Sequence, residues 1–422
     1  MPGPADLRPK RVRIVYLSGT GQLGGAERSL LDILQSVHAH EPSWFLAVIA
    51  SRDGPLLEAV RGVGVEAQVV PIPGRVAGLG DSGAGGQVTG IAGVAARAAG
   101  ALPAAAAYRI RLRRALADWS PDVVHTNGYK MHIMATWSRP RSSALVWHLH
   151  DYVSTRPLMA HAIRILSNQC DAGIAVSRSV AADAAPRWRG RHPIHVVLNA
   201  VDLRTFAPDG PRADLDALAG LAAPPPGTVR VGLVATLGRF KGHDVFLQAI
   251  ARLPRNLPVR AYVVSGSLYE TRGSEFSLPA LRRLAADLGL GDRVGFTGFV
   301  SSPADAMRAL DVVVHATTVR EPFGLVIAEA MACGRAVITS ASGGAAELVQ
   351  PGEDAVTHRP GNAGDLARAI ERLATDSDLR DRLAARGRTA AEARFDRARL
   401  GVAIASIYRA AMADHHPEWQ ST

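Results

Sequence analysis

Short apolar runs alternate with segments of helical spacing along almost the whole chain, and they do so in two series. The first series is RIVYLS, WFLAVIA, EAQVVPI, DVVHTN, ALVWHLH, AGIAVS and IHVVLN. Segments such as ERSLLDILQSVHA and RLRRALADW lie between them. Runs of Val, Ile and Leu with no polar alternation are strands buried on both faces, which requires a parallel sheet covered by helices on each side. After NAVDLRTFAPDG the pattern dissolves into Ala, Asp and Pro and ends in AAPPPG, Ala222 to Gly227. It then restarts with RVGLVATLG, VRAYVVSG, RVGFTGFV, DVVVHATT and RAVITSAS. The expected fold is α/β, with two doubly wound, Rossmann-like domains facing a central cleft. The first spans residues 1–200, a connection spans 201–227, and the second spans 228–395. A terminal helix over 396–422 can cross back to the first domain. Doubly wound sheets hold ligands outside the carboxyl ends of their strands, so the chemistry is expected between the two sets of strand-end loops.

At 422 residues, with 47% hydrophobic and 20% charged residues, the chain suits two folded cores rather than a disordered segment. Its net charge of +10 is uneven: residues 1–200 hold 22 Lys/Arg against 13 Asp/Glu, and the remainder 26 against 25. The excess concentrates in RIRLRR (Arg109 to Arg114) and RWRGRH (Arg187 to His192). Such a patch suits an anionic membrane surface or a phosphorylated acceptor, or is a solvated arginine face. No aromatic interleaving accompanies it, which places nucleic acid last among partners. Two distant cysteines, Cys170 and Cys333, exclude a disulfide framework and fit a reducing compartment. MPGPADLRPKR lacks a signal-peptide core, and Gly90 to Tyr108 is interrupted by Arg97 and Pro103 and is too weak to span a bilayer. The expected location is cytoplasmic, either free or peripheral at the inner face of a membrane. GLGDSGAGG (Gly78 to Gly86) reads as a surface loop.

The first strand is followed by GTGQLGGAERS, which contains the G-x-G-x-x-G spacing at Gly19, Gly21 and Gly24. A dinucleotide site also expects an acidic residue closing the second strand about 20 residues later. WFLAVIA runs instead into SRDG, where Asp53 sits in a turn, so the glycine spacing is coincidental. The stronger signal is HATTVREPFGLVIAEAMACGRAVITSASGGAAELV, His315 to Val349. A strand ends near Thr318, Pro322 and Gly324 punctuate a turn, and LVIAEAMA forms a helix that stops at Gly334. The helix start offers backbone N–H groups to an anion, and Glu321 and Glu329 flank it. That arrangement suits a ligand with both phosphate and sugar hydroxyls. The plainer alternative is that Glu329 pairs locally and Glu321 is solvated. Two D-x-D matches, Asp214–Asp216 and Asp376–Asp378, follow no strand and read as structural, so no metal is expected.

The segment E-P-F-G-L-V-I-A-E-A-M-A-C-G resembles the E-x7-E motif of retaining GT-B glycosyltransferases, specifically glycosyltransferase family 4. GGAE (Gly24 to Glu27), HLHD (His148 to Asp151), VVLNAVD (Val197 to Asp202, with Ala200 in place of the usual Gly) and GRFKGHD (Gly238 to Asp244) resemble the family's other segments in order. The resemblance implies that Arg239 and Lys241 hold the donor diphosphate and stabilise the leaving group. It implies that Glu321 meets the transferred sugar and Glu329 the ribose, and that Gly324 and Leu325 offer amides to the phosphates. His150, preferred over His148, would sit over the sugar and assist an oxocarbenium-like transition state. Gly24 and Gly25 would let their loop lie against the donor, and Glu27 either contacts the acceptor or caps its helix.

The implied activity is metal-independent, retaining transfer of a hexose-type unit from a nucleotide-diphospho-sugar to an acceptor hydroxyl, by front-face substitution. The donor is a co-substrate, and no cofactor is expected. The acceptor is a lipid-linked glycan or a natural-product precursor. A nucleotide-sugar 2-epimerase on the same scaffold and a non-catalytic sugar-nucleotide or membrane-binding subunit are the rival readings. The intact Arg239, Lys241, Glu321 and Glu329 set weighs against the latter.

Overall fold

In a computed structural model, the described residues are 11–77, 91–265, 275–413 and 415. The loop expected at Gly78–Gly86 and the end of the chain after His415 lie outside them. Each apolar run of both series contains a strand. The first sheet comprises β1 (Arg13–Ser18), β2 (Phe45–Ala50), β3 (Glu66–Val69), β4 (Val123–Asn127), β5 (Ala144–Leu149), β6 (Ala172–Ala175) and β7 (Ile194–Val196). Its order is β3-β2-β1-β4-β5-β6-β7, every pairing parallel. The second comprises β8 (Val229–Val234), β9 (Val259–Val264), β10 (Val294–Gly298), β11 (Val312–His315), β12 (Ala336–Thr339) and the short β13 (Val356–Thr357). Its order is β10-β9-β8-β11-β12-β13, again parallel throughout.

Helices cover both faces of each sheet for a simple reason of spacing. Gly25–His40 buries Leu30, Ile33, Leu34 and Val37, the i, i+3, i+4, i+7 stripe of one helical face. Each such side chain contributes about 1.5–3 kcal/mol by leaving water. The connection after residue 200 is less featureless than its composition implies. It carries a short helix, Leu215–Ala219, whose start is capped by Asp214. Within that helix Asp216 accepts from Arg230 (2.7 Å), Arg260 (3.0 Å) and the Tyr262 hydroxyl (2.6 Å), pinning the connection to the second sheet. Asp376 likewise caps the helix Ser377–Phe395. Asp214, Asp216 and Asp376 of the two D-x-D matches thus have structural partners.

The last helix, Ala398–Ala413, returns to the first lobe and packs along Gly25–His40. Gly401 permits that contact, since a Cβ there would lie 2.5 Å from the Ser36 carbonyl oxygen. Leu400, Ile404, Tyr408 and Met412 join the core beneath β1 and β4. No helix among the described residues is long and apolar enough to cross a membrane. The helix Ile91–Trp119, which contains Pro103, carries the RIRLRR cluster with Arg109, Arg111, Arg113 and Arg114 exposed.

Candidate active site

Strand order reverses between β1 and β4 in one sheet and between β8 and β11 in the other. Loops leaving adjacent strands at such a point turn to opposite faces and open a crevice at the carboxyl edge. The two crevices meet in a cavity of about 320 Å³, lined from the first lobe by Gly24, Gly25, Ala26, His150, Val176 and Asn199. The second lobe supplies Lys241, Thr317, Glu321 and the turn Pro322–Val326. An adjoining cavity of about 190 Å³ shares the Gly24–Gly25 and Leu325–Val326 walls and adds Arg28, Phe299, Val300 and Glu329.

The polar centre is an ion pair. Lys241 Nζ lies 2.7 Å from Glu321 Oε2, which also accepts from Thr317 Oγ1 at 3.1 Å and approaches His315 Nε2 at 3.4 Å. Burial alone would push the Glu321 carboxyl up, but Lys241 and then His315 hold it well below the usual carboxylate range. Among the described residues Glu329 has no such close partner. Burial pushes it up to about 7, opposed by the positive charge of Arg28 across the cleft. Two carboxylates eight positions apart thus differ in protonation: one is fixed as an anion and the other is poised to lose its proton on meeting hydrogen-bond donors.

Gly324 takes φ +94° and caps the helix Leu325–Ala332, whose first residues line the cavity together with Pro322 and Phe323. Gly242 has φ +74°, and a Cβ there would fall 2.1 Å from the Ala316 carbonyl oxygen, so only glycine lets the Arg239–Lys241 turn reach β11. That turn separates the two cations. Residues two apart in a 3₁₀ turn point about 120° away from each other, so one faces the cavity and the other does not. Lys241 is the inward one. Arg239 is exposed and stacks over the Phe276 ring at 4.5 Å, outside the cavity lining.

From the first lobe, His150 follows β5 and reaches the cavity, whereas His148 lies within β5 and is buried. Burial pulls the His150 imidazole down to about 3, so it is neutral at ordinary pH. Its Nε2 has no hydrogen-bond partner among the described residues. Gly25 approaches Leu325 closely, a Cβ on it lying 3.8 Å from Leu325 Cδ1. Glu27 is buried at the start of Gly25–His40 and lines a separate first-lobe cavity of about 370 Å³ with Asn127, Asp151 and His150. Gly21 serves the fold itself: a Cβ there would be 2.4 Å from the Arg52 carbonyl oxygen. Its glycine is required by the loop after β2, which removes any need for a dinucleotide.

Sequence reasoning missed Thr317, His315, Arg28 and Asn199. Asn199 lay within a quoted motif, and Ser29 Oγ donates to its Oδ1 at 2.7 Å. Arg28, His315 and Thr317 also lay within quoted segments, but their roles arise from the residues that fold beside them, which no spacing along the chain reports.

Comparison with known proteins agrees with this geometry. Residues 23–205 match the family model Glycosyltransferase Family 4, and residues 223–390 match Glycosyl transferases group 1. A D-inositol 3-phosphate glycosyltransferase from Xylanimonas cellulosilytica is 30% identical over 92% of this chain and 92% of its own length. The lipopolysaccharide core biosynthesis glycosyltransferase LpsE of Rhizobium meliloti is 34% identical over 39% of this chain, and the match spans about half (46%) of that relative's length. The crystal structure of Anabaena Alr3699/HepE in complex with UDP and glucose superposes with a TM-score of 0.73 at 26% identity, covering 94% of this chain and 99% of that one. Aligned in order through both lobes, the chain belongs to glycosyltransferase family 4 and has the GT-B fold.

Proposed function

We propose that this protein is a retaining glycosyltransferase that moves a hexose-type unit from a nucleotide-diphospho-sugar to an acceptor hydroxyl without a metal. UDP-glucose is the first donor to test, because the similar HepE structure was determined with UDP and glucose. One observation carries the reading. A single cavity collects Lys241, Glu321 and a helix start from one lobe, and from the other a neutral His150 whose Nε2 has no hydrogen-bond partner among the described residues.

In this reading the nucleotide lies along Glu329, Phe299 and Val300, with ribose hydroxyls donating to the Glu329 carboxylate. Lys241 and the amides at Gly324 and Leu325 face the diphosphate, and Arg239 swings from Phe276 to join them as the donor arrives. The C1–O bond to the phosphate breaks as the acceptor oxygen attacks from the same face. The acceptor's proton passes to the departing phosphate oxygen, so the protein needs no base of its own. Positive charge at C1 meets the dipole of neutral His150, and charge on the leaving group meets Lys241. Glu321 holds sugar hydroxyls, and lobe closure excludes water as a competing acceptor.

The acceptor enters by the first-lobe cavity that His150 shares. The exposed arginines of Ile91–Trp119, with Ile110 exposed among them, suit an anionic membrane surface and a lipid-linked acceptor at the cytoplasmic face. Incubation with UDP-glucose, with UDP release and anomeric product followed by NMR, tests the reaction. An α-linked product with EDTA present is expected. A β-linked product, an epimerised donor or a strict metal requirement would overturn it. Binding to vesicles of anionic phospholipid that disappears at high salt is expected for the membrane contact. Its absence at low salt would remove that part.

A further inference from the structure

Beside the cavity, Tyr152 of the first lobe inserts its hydroxyl into the second lobe. It lies 3.1 Å from the Glu321 carbonyl oxygen, 3.1 Å from the Gly344 amide nitrogen and 3.0 Å from Ser179 Oγ. A phenol has one proton to give and accepts the rest. The geometry uses all of this: the hydroxyl donates to Glu321 and accepts from Gly344 N–H and Ser179. Gly344 N–H also donates to the Glu321 carbonyl at 2.8 Å, and the Glu321 amide donates to Ser342 at 3.0 Å. Tyr152 therefore completes a clamp on the backbone of the residue whose carboxylate holds Lys241. Arg320, next in the chain, packs over the Tyr152 ring at 4.1 Å and donates to Ser179 Oγ at 3.1 Å.

The sequence has paid attention to this joint at Gly343 and Gly344. A Cβ on Gly343 would lie 2.2 Å from the Tyr152 hydroxyl, and one on Gly344 would lie 1.9 Å from the Pro322 carbonyl oxygen. Neither approach tolerates a side chain.

We propose that Tyr152 is a positioning residue that couples lobe closure to the setting of Glu321, so that the carboxylate takes its working position only when the lobes meet. The inference rests on the glycosyltransferase reading, in which Glu321 meets the transferred sugar and UDP itself does not touch it. Tyr152→Phe removes the hydroxyl alone. In the unliganded variant, amide exchange across residues 342–348 should quicken about tenfold, the effect of losing one buried hydrogen-bonding node. UDP affinity by calorimetry should stay within about twofold, while kcat with UDP-glucose falls at least about tenfold and KM changes little, the signature of displaced catalytic geometry.

Ser179→Ala is the companion variant. It removes a Tyr152 partner but leaves the Glu321 contact, and should stay within about threefold of the parent in kcat, well short of the tenfold set by a lost node. Parental exchange and kcat in Tyr152→Phe would refute the role, as would an equal loss in Ser179→Ala, which would assign the effect to the lobe contact in general. A parent that neither binds UDP nor turns over UDP-glucose refutes the donor assignment on which these assays rest, and does so before any variant is compared.

Discussion

His125 sits fully buried on β4, its Nδ1 2.8 Å from the Tyr408 hydroxyl and its ring packed against Tyr16, His148 and Tyr408. Burial, reinforced by His150, pulls its imidazole down to about 3. In the unfolded chain the same group titrates near 6.5. Because the folded pKa is depressed, the unfolded state takes up a proton that the folded state refuses everywhere between these values. Stability from this residue is therefore complete above about pH 6.5 and falls with acidification, at about 1.4 kcal/mol per pH unit. Between pH 7.5 and 5.5 the parent loses roughly 1.4 kcal/mol through His125 alone, and roughly 2.7 kcal/mol by pH 4.5. In His125→Leu that loss is absent, although the variant is weaker at pH 7.5 by about 1–3 kcal/mol because the Tyr408 hydroxyl loses its partner. The gap between parent and variant should narrow by about 1.4 kcal/mol at pH 5.5. Taking the difference cancels the other titrating groups, including Asp32 and Glu329, whose raised pKa values act in the opposite direction. Urea unfolding followed by tryptophan fluorescence suits the measurement, since Trp44, Trp119, Trp137, Trp147 and Trp188 all lie in the first lobe. A gap that stays constant or widens on acidification would show that His125 is charged in the folded protein, and the burial argument would fail.

Three further outcomes are expected. UDP-glucose should bind about tenfold more tightly at pH 8 than at pH 6, because hydroxyl donors favour ionised Glu329 and must displace a proton held near pH 7; calorimetry of Glu329→Gln should show that dependence abolished. Lys241→Met should lower kcat by about two to three orders of magnitude, the scale of losing one preorganised leaving-group contact, in a UDP-release assay. It should also raise the Glu321 pKa, visible as a new acidic-to-neutral transition in the variant's thermal stability. Gly242→Ala should lower stability by about 2 kcal/mol or more in thermal unfolding, since its Cβ meets the Ala316 carbonyl at 2.1 Å and its φ is positive.

The strands were legible because a parallel sheet covered on both faces demands continuous apolar runs, and little else in a chain does. What escaped was short or held from afar. β13 has two residues, too few to carry a pattern. The helix Leu215–Ala219 lies in a stretch poor in pattern, and its anchor is Asp216 reaching Arg230, Arg260 and Tyr262, which come from strands that follow it. The turn at Gly324 was legible for the opposite reason: a positive φ leaves glycine in the sequence as its mark.

The site divides along the same line. Glu321 and His150 follow strands, Lys241 closes the turn before a helix, and Glu329 lies one turn inside a helix that leaves a strand end, so a reader of topology can place them near a carboxyl-edge crevice without knowing a single distance. The joint role of Arg239 and Lys241 came from the resemblance of GRFKGHD to a family segment; a 3₁₀ turn sends alternate side chains apart, and in the unliganded protein Arg239 rests on Phe276. Tyr152 is the harder case. It belongs to one lobe and acts on the backbone of the other, so nothing near it in sequence reports the contact. The only written trace is the pair Gly343–Gly344, nearly two hundred residues away, where any side chain would collide with the Tyr152 hydroxyl or the Pro322 carbonyl. Gly343, at φ +71°, is also explained by its own turn, so Gly344, which needs no such angle and whose Cβ would lie 2.7 Å from Ser177 Oγ of the first lobe, is the glycine that points to a partner across the cleft.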